Sequence, residues 1–183
     1  MQSAEGLSMN KLDELTKLAE LTKLAEHIDA QTDWWRFPSE GHVQGFMGTD
    51  TLFFVGDQPS TSEWGPTNPS RRAFYDCLPL VGAAEAHLTD LYKKRGKSGA
   101  LKDGLPSDFP MHIEFYRREM SLLMPTRVIA VGKFAFDLLT VHVPEARPIL
   151  HRVHHFSYIA RYKRSALYEG NMRLAMDGWH VGG

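Results

Sequence analysis

"TLFFVGDQPSTSEWG", residues 51–65, runs from an apolar stretch, Thr51 to Val55, straight into Gly56, Asp57, Gln58, Pro59 and Ser60. A strand that ends in a Gly-acid-amide-Pro turn delivers polar side chains and bare backbone N–H groups to one point, which is how α/β proteins build a site. Three more segments have the same character: "AHLTDLY" at 86–92, "RVIAVG" at 127–132 and "PILHRVHHF" at 148–156. Helical patterns lie near 70–82, 110–124 and 133–142, and a last one near 162–176. Strands alternating with helices predict right-handed crossovers and a parallel sheet with helices on both faces. Ligands bind such sheets beyond the carboxyl ends of the strands, here "GDQPS", "TDLYKK", "VGKFA" and "HHFSY".

Upstream of these strands, Leu12, Leu15, Leu18, Leu21, Leu24 and Ile28 recur three or four apart among Glu and Lys, an amphipathic helix expected to pack on the core. The duplicated "LTKLAE" within it is too short for a repeat architecture. Residues 1–8 precede a second methionine, Met9, and are set aside as a disordered or expression-derived tail, leaving 9–183 as a single domain. Trp34 and Trp35 read as packing residues in the connection to the first strand.

A formal charge of -1 removes any argument from overall basicity, so nucleic-acid binding would rest on local clusters. Those clusters are Arg71-Arg72, Lys93-Lys94-Arg95 with Lys97, Arg117-Arg118, and Arg161 with Lys163-Arg164. Cys77 is the only cysteine, which excludes an internal disulfide and any four-cysteine zinc or iron–sulfur site. No signal peptide and no bilayer-spanning apolar run is visible, so a cytoplasmic protein with no membrane partner is expected.

"VGDQPS" has neither the glycine spacing of a dinucleotide site nor the Lys-Ser/Thr of a P-loop. The strand ends instead resemble, in order, those of the uracil-DNA glycosylase superfamily. "GDQPS" is similar to its first motif, a Gly-polar-polar-Pro turn, and "HFSYIAR" to its second, His-Pro-Ser followed by a wedge residue, Leu and Arg. "HLTDLYK" resembles the strand that carries the base-reading asparagine, and "RVIAVGKFAFDLL" the strand-turn-helix before the second motif. The likeness spans about residues 50–165. It implies a three-layer α/β/α sandwich with a central four-stranded parallel sheet, acting as a monomer on double- or single-stranded DNA with a nucleobase in the pocket, without metal or other cofactor.

Cleaving a deoxyribosyl N-glycosidic bond develops positive charge on the sugar and negative charge on the departing base, so it needs an acceptor near C1′ to hold water and a donor to the base oxygen. The resemblance makes Asp57 and Gln58 the water-positioning pair and His155 the donor to O2, with the adjacent His154 a competitor. Asp90 would read the base beside Gly56, and Phe74, Tyr75 or Trp64 would stack on it. Base excision requires flipping. Tyr158 and Ile159 would wedge the gap, with Ser60, Ser157, Arg161, Lys163 and Arg164 on the DNA.

Several positions depart from the family pattern. Asp90 stands where asparagine is expected; an ionised aspartate only accepts and meets O4 of uracil badly, whereas a protonated Asp90, or an ionised one against a protonated base, suits cytosine. Phe156 replaces the motif proline and Ser60 the closing glycine, and "KKRGK" lacks the histidine that traps substrate covalently in one branch. Three readings stay open: a monofunctional glycosylase for a damaged or modified base, a non-catalytic DNA- or base-binding relative, and an N-glycosidic enzyme acting on free nucleosides.

Overall fold

The computed structural model describes residues 4–179. Four strands, β1 (Leu52–Gly56), β2 (His87–Asp90), β3 (Arg127–Val131) and β4 (Leu150–Val153), form one sheet in the order β2-β1-β3-β4, every neighbouring pair parallel. β1 and β2 are buried along their whole length, as strands covered on both faces must be.

Strand alternation divides the core in two. Phe53, Val55, Val128, Ala130 and Leu150 face a cluster completed by α1 (Ala4–Asp29), α4 (Phe109–Leu123) and α5 (Lys133–His142). Leu52, Phe54, Leu88, Ile129, Val131 and Val153 face the other, closed by α2 (Pro69–Tyr75), α3 (Cys77–Leu80), α6 (Phe156–Tyr162) and α7 (Ser165–Met176). The chain is a three-layer α/β/α sandwich around a four-stranded parallel sheet.

Several element boundaries differ from the sequence reading. Of the tail set aside at 1–8, residues 4–8 belong to α1 and residues 1–3 lie outside the described residues, as do 180–183 at the other end. α1 packs through Leu21, Leu24, Ala25 and Ile28; Leu12, Leu15 and Leu18 are exposed, so its apolar stripe extends past the domain it covers. The pattern at 70–82 is two helices meeting at Asp76. α2 starts where Asn68 accepts the N–H groups of Ser70 and Arg71 at 2.9 and 3.1 Å with Pro69 in the first turn, a cap worth about 1 kcal/mol. β4 is shorter than 148–156 because Pro144–Ile149 is a 3-10 segment and Pro148 has no N–H for a ladder. α6, which the sequence pattern does not predict, opens directly on "HFSYIAR" with His155 as its N-cap.

Among the described residues no helix is long and apolar enough to cross a membrane, and no group of three or more His, Cys, Asp or Glu is placed to hold a metal ion.

Candidate functional site

The carboxyl ends of β1 and β2 meet at one residue pair, Gly56 opposite Asp90. A side chain at position 56 would overlap the Asp90 carboxyl oxygen Oδ1, so the absence of a Cβ there is what admits the aspartate. The backbone then continues in register past the strands: Leu91 N–H donates to Gly56 O and Tyr92 N–H to Asp57 O, both at 3.0 Å. Farther out, Gly96 N–H donates to Pro59 O at 3.0 Å and Thr61 N–H to Gly96 O at 3.1 Å. The Gln58 amide lies across this strap, donating to Lys94 O at 3.1 Å, and a Cβ at Gly96 would strike that amide.

Asp90 is only 5% exposed, and its Oδ2 has no hydrogen-bond partner. Burial, followed by the charge of Asp57, pushes its carboxyl up to about 8 against the opposing pull of Lys93. Burial also raises Asp57, against the backbone N–H groups of the turn and the charge of Lys102. Beneath this floor lies a buried ionic group. Lys93 Nζ stands 2.8 Å from Glu119 Oε1 and donates to Thr89 Oγ1 and to Asp90 O at 2.5 Å each, while His87 Nε2 lies 3.3 Å from Glu119 Oε2.

His155 arrives from the end of β4 and is the N-cap of α6. Its Nδ1 accepts the Ser157 N–H at 3.2 Å and lies 2.7 Å from Ser157 Oγ. An accepting Nδ1 leaves the ring proton on Nε2. Burial, helped by Lys102, lowers this imidazole to about 4, so it is neutral near pH 7 and carries an Nε2–H donor. Gly132 (φ +100°) makes room for it: a Cβ there would stand 3.1 Å from His155 Cβ.

Gly56, Asp57, Gln58, Ser60, Asp90, His155 and Ser157 line one cavity of about 190 Å³. Its aromatic wall is Trp35, Phe37, Trp64 and Phe156, linked edge to face, with Trp64 5.3 Å from Phe156 and 5.9 Å from Trp35 between ring centroids. Trp35, Phe37, Asn68 and Arg95 were not singled out for this site from the sequence. The Asn-Pro helix start and the "KKRGK" segment were the signals, but nothing in the sequence alone shows that those segments fold against the β1 turn.

Other expected residues lie elsewhere. Phe74 and Tyr75 do not line the cavity; they are 1% and 2% exposed in the core, behind Phe156 and Trp64 at 5.2 and 5.7 Å. The reason is that α2 lies on the sheet and turns both rings inward, where Tyr75 Oη donates to Pro38 O at 2.8 Å. Trp64 takes the wall position. Ile159 is fully buried against the second core cluster, so it is not a wedge; α6 has one core-facing stripe and Ile159 is on it. Tyr158 is half-buried, stacked on His154 at 5.1 Å, with Arg164 donating to its hydroxyl at 3.0 Å. Arg161, Lys163 and Arg164 are exposed.

The basic clusters separate by role. Lys93 is buried on Glu119, Lys94 pairs with Asp33 and Asp108, and Arg117 with Glu114 and Glu145, whereas Arg95 stays at the cavity rim with its guanidinium over Trp35 at 5.7 Å. The arrangement therefore offers a carboxyl, an amide and a neutral imidazole donor beside a buried second carboxyl under an aromatic wall. No protein-family model and no curated protein matches the chain.

Proposed function

We propose that this chain is a divergent, iron–sulfur-free member of the uracil-DNA glycosylase superfamily that hydrolyses the N-glycosidic bond of a flipped-out damaged or modified base. One observation carries the reading: Asp57, Gln58, Asp90, His155 and Ser157, from three separate strand ends, converge on a single aromatic-walled cavity. In the proposed reaction Asp57 orients the attacking water and offsets the charge developing on the sugar. Gln58, its amide nitrogen anchored by donation to Lys94 O, offers its carbonyl oxygen to the same water. The Nε2–H of His155 donates to the base O2 as negative charge builds there, a preorganised donor in a site of restricted water.

Trp64 or Phe156 stacks on the flipped base. Tyr158 stands at the duplex gap, and Arg161, Lys163 and Arg164 hold phosphates on the same side. The protein acts as a cytoplasmic monomer on DNA, without metal or other cofactor.

The test is single-turnover excision, with protein in excess, on duplex and single-stranded oligonucleotides carrying uracil, hypoxanthine, xanthine, cytosine and oxidised or methylated pyrimidines. Abasic sites from one class of base, abolished by Asp57→Ala with Gln58→Ala while DNA binding persists, support the reading. Silence across the panel with DNA still bound transfers it to a non-catalytic DNA-binding relative. Activity confined to free nucleosides, where Arg161, Lys163 and Arg164 have nothing to hold, replaces it with a nucleoside hydrolase or transferase.

A further inference from the structure

The base-reading position of the cavity holds a carboxyl with one oxygen that the described residues leave without a hydrogen bond. Asp90 is buried, its Oδ2 is without a hydrogen-bond partner, and its Oδ1 abuts the bare Gly56. An amide in this place would have a fixed polarity, its NH₂ one way and its oxygen the other. A carboxylic acid has no such fixed order, because its proton sits on whichever oxygen the ligand favours.

We propose that Asp90 reads the base as a neutral carboxylic acid, and that the cavity therefore takes pyrimidines of both polarities at the N3/C4 edge, 4-oxo and 4-amino alike. Against a 4-oxo base the acid accepts from N3–H and donates to O4; against a 4-amino base it donates to N3 and accepts from the amino group. Both classes carry the O2 that the Nε2–H of His155 addresses. The inference rests on the glycosylase reading for that O2 contact and for the cavity's being a base site.

The surroundings favour the neutral acid. The charged and titratable groups that act on Asp90 are Asp57 from the β1 turn, Glu119 from α4 and Tyr75 from α2, with Lys93 the one cation among the described residues; His155 and Arg95 share the cavity. Lys93 is held by Glu119, Thr89 Oγ1 and the Asp90 carbonyl, and its pull on the carboxyl is outweighed by burial and the charge of Asp57. Burial and two carboxylates hold the proton on, up to about pH 8. Above that point a carboxylate would confront N3 or O4 with like partial charge.

Free bases test this directly, since Trp35 and Trp64 line the cavity and their fluorescence reports a ring stacked there. Uracil, cytosine and 3-methyluracil are titrated at pH 6 and pH 9 into the native protein and Asp90→Asn, the variant supplying the base's own titration. Expected at pH 6 are uracil and cytosine dissociation constants within about tenfold of one another, with no binding of 3-methyluracil. At pH 9 both weaken about tenfold in the native protein, one decade past the loss of the Asp90 proton. Asp90→Asn loses this pH dependence and separates the two bases by about tenfold or more, because its amide has one polarity.

Binding indifferent to pH, binding of 3-methyluracil, or no binding of any base overturns the proposal, and the native titration decides this even if the variant does not fold. The excision panel separates this failure from that of the glycosylase reading. Bases bound as expected with no excision from any oligonucleotide leaves Asp90 as stated and removes the enzyme. Excision with pH-indifferent base binding does the reverse.

Discussion

Replacing Asp90 by asparagine removes a titration and little else, and its effect on stability follows from the burial of the carboxyl. The folded state raises this group from 3.8 to about 8. A raised carboxyl contributes its stability in full below 3.8, where both states hold the proton, and loses it as pH climbs towards 8, where the unfolded chain has released the proton and the folded one has not. Each decade across that window is worth about 1.4 kcal/mol. Between pH 5 and pH 7 the native protein thus loses about 3 kcal/mol through Asp90 that the variant keeps.

His112 and His155, both lowered to about 4 chiefly by burial, act in the opposite direction: their stability is present above 6.5 and lost as pH falls towards 4. They are common to both proteins and cancel in the difference. Urea unfolding at pH 5, 6, 7 and 8, with the midpoint shift multiplied by a shared slope, gives that difference at each pH. A variant whose advantage over the native protein rises by about 1.4 kcal/mol per pH unit bears the reasoning out. A difference that is flat across the window, or that shrinks as pH rises, shows that Asp90 is ionised in the folded protein and refutes it.

Four other perturbations have defined outcomes. Gly56→Ala drives a methyl into the Asp90 carboxyl and is expected to cost about 1–3 kcal/mol in urea unfolding and to abolish base binding; unchanged binding would place the base elsewhere. Lys93→Met strands Glu119 and is expected to cost about 3–5 kcal/mol, most of it recovered in Lys93→Met with Glu119→Leu, so a double variant no more stable than the single one contradicts the pairing. The His155 ring, followed by proton NMR, should titrate near 4 and show no inflection at 6.5. Arg161→Ala and Arg164→Ala should each lower the slope of log affinity for DNA against log salt by about 1, and slopes equal to the native one would remove these residues from the phosphate contacts.

The layers of the fold were legible because strands alternate with helical patterns, and two strands stop at a sharp chemical boundary, apolar to Gly-Asp-Gln-Pro at β1 and apolar to Gly-Lys at β3. α5 runs over the expected 133–142 for the same reason, its apolar spacing being uninterrupted. α6 was not legible: "PILHRVHHF" reads as a strand through Phe156, and only the acceptance of the Ser157 N–H by His155 shows a helix beginning there. Of the polar floor, Asp57 and Gln58 stand out because they follow the apolar run of β1, whereas Asp90 and His155, inside the expected segments 86–92 and 148–156, are singled out only through the resemblance. Its aromatic wall was not. Phe74, Tyr75 and Trp64 are all aromatics near the β1 turn, and only the tilt of α2 decides that the first two enter the core while Trp64 faces the cavity. Lys93 shows the same limit from the other side, for a lysine in a "KKRGK" run looks like surface until Glu119 is found 2.8 Å away.

The strap that ties residues 58–61 to 94–96 is made mostly of main-chain bonds, and these are blind to side-chain identity apart from the glycine that clears Gln58. Arg95, Lys97 and Ser98 can therefore be exchanged over evolutionary time without dislodging Asp57 or Gln58 below them. Under the proposed function the rim meets the polymer and the floor meets the base, so the two can diversify on separate schedules. Libraries randomised at 95, 97 and 98 should accordingly yield folded proteins with altered preference for strandedness or flanking sequence while the choice of base stays with Asp90.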